Sequence, residues 1–229
     1  DVNAFSLPVP AKERPYAQLQ CIKAFPTGQQ DQWRVIAVYA SRTRQKVKRA
    51  APGGEGWVID HFDRLAVKHY LDRFEQAFDK SGVPYPHTFF NDSYEVYHAN
   101  WTPTLFAEFQ KRRGYDLRDH LPELLGFKDD GNQVLSDYRE TLSDLLYEHF
   151  TLQWVSWAHR HGVQVRNQAH GSPANLLDLY GAVDIPEIEG FGLSEFGIKG
   201  LRTDPGMTRK NFSDLSMLND IKKAISMLK

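Results

Sequence analysis

The chain is poor in cysteine: one residue, Cys21, in 229. A single thiol excludes an internal disulfide and a thiolate metal cluster, and it leaves the redox compartment unread. No apolar run approaches the roughly 20 residues that span a bilayer. Asp1, Val2, Asn3 and Ala4 lack both a starting Met and the charged-then-apolar pattern of a secretion signal, which is expected of a mature or excised piece. An excess of either charge is missing too: 28 Lys and Arg face 29 Asp and Glu, for a net charge of -1. Composition therefore gives no support to a nucleic-acid or membrane-surface partner. What remains, 41% hydrophobic and 13% aromatic, is globular, and the length suits one large α/β domain.

Residues 1–15 carry Pro8, Pro10 and Pro15 and read as a connecting segment, with the domain running over 16–229. Tyr16 to Phe25 and Trp33 to Ala40 read as two strands around a turn at Pro26 and Gly28. The basic stretch from Arg42 to Arg49 reads as a solvated loop. Beyond it, Trp57 to Ile59 leads into Asp60 and His61. From Phe62, apolar residues recur every three or four positions until Gly82 and Pro84 end the helix. Pro86 to Asp92 reads as a strand. Thr102 suits an N-cap and Pro103 a first helical position, for a helix that stops at Gly114. A long helix is expected from Val134 to His161, then a strand at 163–168, a short helix at 175–180 and a strand at 182–185. Strands alternating with helices predict a parallel sheet whose strand C-termini share one side. About five strands are visible, so an open doubly wound sheet and an incomplete (β/α)8 barrel both fit.

Polar clusters follow these strands: Asp60 and His61; Asn91, Asp92 and Glu95; Arg166, Asn167, Gln168 and His170; Asp184, Glu187 and Glu189. In a barrel that rim holds the active site. Two carboxyl groups flanking a bond, one protonated and one ionised, are what glycoside hydrolysis requires. Glu95 fits the acid, or equally a charge leading into the next helix. Glu187 and Glu189 alternate and would share one side of an extended segment, or would salt-bridge to Arg166 or Arg202. Trp57 and Trp101 could stack on sugars or pack in a core. His159, His161 and His170 lack a zinc signature, and the helical spacing of the first two turns them apart. A cation held by Asp, Glu and Asn oxygens fits better, although no EF-hand loop is present. No P-loop, dinucleotide fingerprint or GxSxG elbow occurs.

Three segments, VKRAAPGGEGWVIDHFDRLAVKHYLDRF (47–74), FFNDSYEVYHANWTPTLFAEFQKRRGYDL (89–117) and RNQAHGSPANLLDLYGAVDIPEIEGFG (166–192), resemble the α-L-rhamnosidases of glycoside hydrolase family 106. The resemblance implies a (β/α)8 TIM-type barrel, incomplete in this chain, that removes terminal α-L-rhamnose with inversion, using two glutamates and assisted by calcium. It makes Glu95, in NDSYE, the general acid, and Glu187 and Glu189, in PEIEGFG, active-site carboxylates. Asp60, His61, Asn91, Asp92, Trp101, Arg166, Gln168 and His170 become the expected substrate-binding residues. It further implies a secreted or periplasmic enzyme, with the rest of the barrel and β-sandwich domains on a longer chain. The alternative is a carbohydrate-binding barrel fragment that lacks the second catalytic carboxylate.

Overall fold

The structure, a computed structural model, describes residues 17–48, 50–127 and 131–187. The connecting segment 1–15, Glu189, Arg202 and the Lys-rich stretch 218–229 lie outside the described residues. The chain forms two compact units, one of residues 1–82 and 96–154, the other of 83–95 and 155–229.

In the first unit, β1 (Gln18–Pro26) and β2 (Trp33–Ala40) form an antiparallel hairpin, with Ile22 opposite Ala37 and Phe25 opposite Arg34. Alternation, shifted once by a bulge between Leu19 and Cys21, sets two faces apart. One carries Lys23, ion-paired to Asp119, and Arg34, whose guanidinium lies 4.0 Å from the Phe127 ring centre. The other leaves Leu19, Ile22, Trp33 and Val35 exposed. This hairpin is a separate two-stranded sheet, so three of the five described strands are parallel. Trp57 to Ile59 is not a strand either. It makes one isolated antiparallel bridge, Lys46 to Trp57, because the glycine-rich turn before it folds the chain back on itself.

Helix α1 (Arg64–Ser81) starts where Asp63 accepts hydrogen bonds from the N–H groups of Leu65 and Ala66, and ends at Gly82 in the left-handed conformation. It buries Val67 and Leu71. Helix α2 (Leu105–Arg113) begins later than the Thr102–Pro103 signal predicts. Thr102 is buried in a preceding turn, its carbonyl accepting from Leu105 N–H at 3.1 Å, and Thr104 stands at the N-cap without a side-chain bond. A 3-10 turn (Leu117–His120) and α3 (Leu121–Leu124), which the periodicity does not reveal, bury Leu117, Leu121 and Leu124, with α3 packed on α4 (Gly131–Leu145). Arg112, on α2, forks onto Glu148 with bonds of 2.8 and 2.7 Å. The predicted long helix exists, but residues Leu146–Thr151 form a π-helical turn before α5 (Leu152–Arg160).

The second unit holds a parallel sheet in the order β3 (Thr88–Asn91), β4 (Gln164–Asn167), β5 (Ile185–Pro186), with α6 (Leu176–Gly181) joining β4 to β5. Val163, Val165, Ala169, Leu179, Tyr180 and Val183 are among its buried apolar residues, with Val155, Trp157 and Ala158 of α5. The observed architecture is therefore mixed α/β with a three-stranded parallel sheet among the described residues, short of the eight strands of a barrel. No described helix is long and apolar enough to cross a membrane.

Candidate functional site

Three parallel strands end side by side. Asn91, Asn167 and Pro186 are register partners, and the ladder runs one residue further: Gln168 N–H donates to Asn91 O and Glu187 N–H to Asn167 O, both at 3.0 Å. Backbone pairing thus fixes Gln168 and Glu187 at the strand C-termini, as the sequence predicts for them. Asn91 Nδ2 donates to Asn167 Oδ1 at 2.8 Å and to Asp92 O at 3.0 Å. Gln168 Nε2 donates to Glu187 Oε1 at 2.8 Å, while Glu187 Oε2 pairs with Arg166 Nε at 2.6 Å. Of the two readings of Glu187, this is the salt bridge to Arg166. The Arg166 guanidinium also lies 4.3 Å from the centre of the half-exposed Phe90 ring. Phe90 and Arg166 are themselves register partners, a pairing that only the sheet reveals.

The chain leaves β3 through Asp92, which is exposed and accepts the Ser93 N–H at 2.8 Å, and reaches the part-buried Glu95 with no helix or strand between. Tyr94 N–H donates to His170 O at 3.2 Å, tying the Glu95 segment to the loop after β4. Tyr180 takes N–H groups of Ala169 and His170 on its buried hydroxyl. Burial pushes its ionisation up, and the Glu187 charge adds a little. Sequence reasoning missed Tyr180, which reads as one more apolar position of a short helix.

Asp184 does not join this cluster. It precedes β5, accepts the Val165 N–H at 2.8 Å and pairs with His159 at 2.9 Å, because the strand starts later than its apolar residues suggest. His161 stacks on Tyr85 with ring centres 4.2 Å apart.

Asp60, His61 and Trp101 belong to the first unit. Asp60 accepts the Phe62 N–H at 2.9 Å; burial raises its carboxyl, and the Thr102 hydroxyl and that amide pull it back. Burial drives the His61 imidazole down to about 4, so the ring is neutral near pH 7. It stands edge-on to Phe150, with centroids 4.8 Å apart. His149, on the π turn, bonds through Nδ1 to Phe62 O at 2.7 Å, a support that sequence spacing alone does not show. Trp101 packs edge-on against Phe106, the core reading, whereas Trp57 is exposed with the Lys46 ammonium 5.7 Å from its ring centre.

Among the described residues no three His, Cys, Asp or Glu side chains converge on a possible metal position. At the strand ends both Glu187 oxygens are already engaged.

What the strand ends offer is a row of amide, guanidinium, imidazole and carboxylate groups, suited to hydroxyl-rich ligands. A solved rhamnosidase from Novosphingobium sp. PP1Y is 29% identical, with a TM-score of 0.57 over 66% of this chain and 16% of that one. A Formosa agariphila protein named "Putative beta-glucuronidase" is 28% identical over 162 residues, 67% of this chain and 14% of its own length. The chain thus spans under a fifth of either relative. Residues 24–197, which include Glu95, Glu187 and Glu189, match glycoside hydrolase family 106, alpha-L-rhamnosidase, and the chain belongs to that family.

Proposed function

We propose that this chain forms part of the catalytic barrel of a secreted or periplasmic glycosidase that removes terminal α-L-rhamnose with inversion. The observation that carries the proposal is the alignment of Asn91, Gln168 and Glu187 at three adjacent parallel strand ends, where barrel enzymes keep their chemistry. Asn91, Asp92, Arg166, Gln168 and His170 bind the sugar hydroxyls. Glu95 gives its proton to the departing glycosidic oxygen. A second carboxylate takes a proton from the water that attacks the anomeric carbon from the opposite face, so that hydroxyl and alcohol products both end protonated. Because Arg166 and Gln168 occupy both oxygens of Glu187, the base role falls to Glu189, and Glu187 holds the binding groups in place. The other barrel strands and β-sandwich domains come from the longer protein. Calcium, which the resemblance to the family implies, would assist this chemistry.

The test is rhamnose release from an aryl α-L-rhamnoside with and without calcium, by this chain and by a version extended at both ends. Glu189→Gln should lower kcat by about 10²-fold or more on that substrate, and Glu95→Gln should do so on an alkyl rhamnoside, whose leaving group needs the proton. Full activity of Glu95→Gln on an alkyl rhamnoside would overturn the assignment. The engagement of Glu187 favours a second reading, a sugar-binding fragment without turnover. Calorimetric binding of rhamnose by a chain that releases none in either length would establish it.

A further inference from the structure

We infer that Gly171 is a positioning residue for Glu95, acting through the Tyr94 carbonyl; this rests on Glu95 being the general acid. Residues 92–95 have no ladder or helix to hold them. Bonds that help to fix them are the Gln168 N–H on Asn91 O, the Tyr94 N–H on His170 O and the Asn91 amide on Asp92 O. Gly171 follows His170 directly, at φ +81, and a Cβ there would stand 2.7 Å from Tyr94 O and 3.7 Å from Tyr94 C. Ordinary contact begins at 3.4 Å, so any side chain demands a shift of about 0.7 Å.

Two features decide which side yields. The turn bearing Gly171 is held by the Tyr180 hydroxyl, which takes the N–H groups of Ala169 and His170, and by Ser172 N–H on Ala169 O at 3.2 Å. The atom opposite is backbone, and it cannot rotate aside as a side-chain tip would. The displaced group is the peptide joining Tyr94 to Glu95, so the carboxyl moves with it. The missing Cβ sets the depth at which the acid sits, and Gly171 does this without touching the reacting atoms.

The test uses a series of α-L-rhamnosides whose leaving groups run from 2,4-dinitrophenol, which departs without protonation, to methanol, which needs the acid. The longest version of the protein that turns over rhamnosides is compared with Glu95→Gln, Gly171→Ala and Gly162→Ala. Gly162 has φ +71 and nothing within 4 Å of a Cβ, so its variant carries the backbone strain without the collision. Glu95→Gln should lose about 10²-fold or more on poor leaving groups and little on dinitrophenol. Gly171→Ala should show the same slope, about 10²-fold at the methanol end, since misplacement by under 1 Å suffices for such a loss. Gly162→Ala should show none. Tyr180→Phe frees the turn from its other side and should give a milder slope, which keeps the inference testable if Gly171→Ala does not fold. A steep Glu95→Gln with Gly171→Ala and Tyr180→Phe both losing rate equally on every substrate overturns the inference alone. A flat Glu95→Gln overturns the acid assignment and the inference with it.

Discussion

The pair Arg166–Glu187 distinguishes a structural carboxylate from a catalytic one, and its strength follows from its surroundings. The side chains are 43% and 31% exposed, so water screens much of the attraction at 2.6 Å. Pairs of that kind contribute about 0.2–1 kcal/mol in double-mutant cycles. Two neighbours place this one at the upper end: Gln168 already fixes the second Glu187 oxygen, and Phe90 lies under the guanidinium, so little side-chain freedom is left to lose. Glu187→Gln keeps an oxygen for Gln168 and puts an uncharged NH2 group in place of the oxygen that faces Arg166. Urea unfolding of the native protein, Glu187→Gln, Arg166→Gln and the double variant should give a coupling of about 1 kcal/mol, shrinking in 1 M salt. For a chain of this length Tm of either single variant should fall by about 2–4 °C. Coupling above about 3 kcal/mol would mean that the pair behaves as a buried one and would refute the screening argument. A kcat loss of about 10³-fold in Glu187→Gln with little loss in Arg166→Gln would make Glu187 the base and refute its structural role.

Two further outcomes concern the first unit. His61 titrates near 4 folded and near 6.5 unfolded, so the unfolded chain binds more protons between those values and stability falls as pH drops through that window, by at most about 1.4 kcal/mol per pH unit. His61→Phe, which keeps an aromatic ring against Phe150, should flatten the urea-unfolding midpoint between pH 6.5 and 4; an unchanged slope would show that the imidazole is not the source. Asp63→Ala removes the acceptor of two N–H groups at the start of α1, and should cost about 1 kcal/mol by chemical unfolding, with Asp63→Asn or Asp63→Ser recovering most of it.

Much of this organisation was legible in the sequence, and the reasons are local. Asp63 and Gly82 bracket α1 through cap chemistry that needs only neighbours in sequence. Asn91, Gln168 and Glu187 could be placed at strand ends because a parallel arrangement follows from alternating elements. Non-local choices were not legible. Whether the first two strands join the parallel sheet is decided by partners far along the chain, and among the described residues they pair with each other. Trp57 to Ile59 has strand composition, yet hydrogen bonds from Val47 to Gly56 and from Val58 to Gln45 give it a loop's role. Asp184 and Glu187 are three residues apart and share an acidic character, but the late start of β5 sends one to His159 and the other to Arg166. The contact of Gly171 with Tyr94 joins segments more than 70 residues apart, beyond the reach of any periodicity.

The π turn at Leu146–Thr151 carries its own arithmetic. Val134, Tyr138, Leu142, Leu146, Trp154 and Ala158 are buried, and the every-fourth series that links them also passes through the part-buried Phe150. In a helix of 3.6 residues per turn, each step of four overshoots a full circle by about 40°, so a series this long would wander to the far side. A wider turn in its middle winds the series back, acting as a vernier between two α-helical stretches. Apolar residues spaced by four over six steps are thus a phase error that the backbone corrects, and the correction coincides with His149, whose imidazole reaches Phe62 O. Removing one residue from 146–151 would let an ordinary helix form with both ends still in phase, at the expense of that one imidazole's reach.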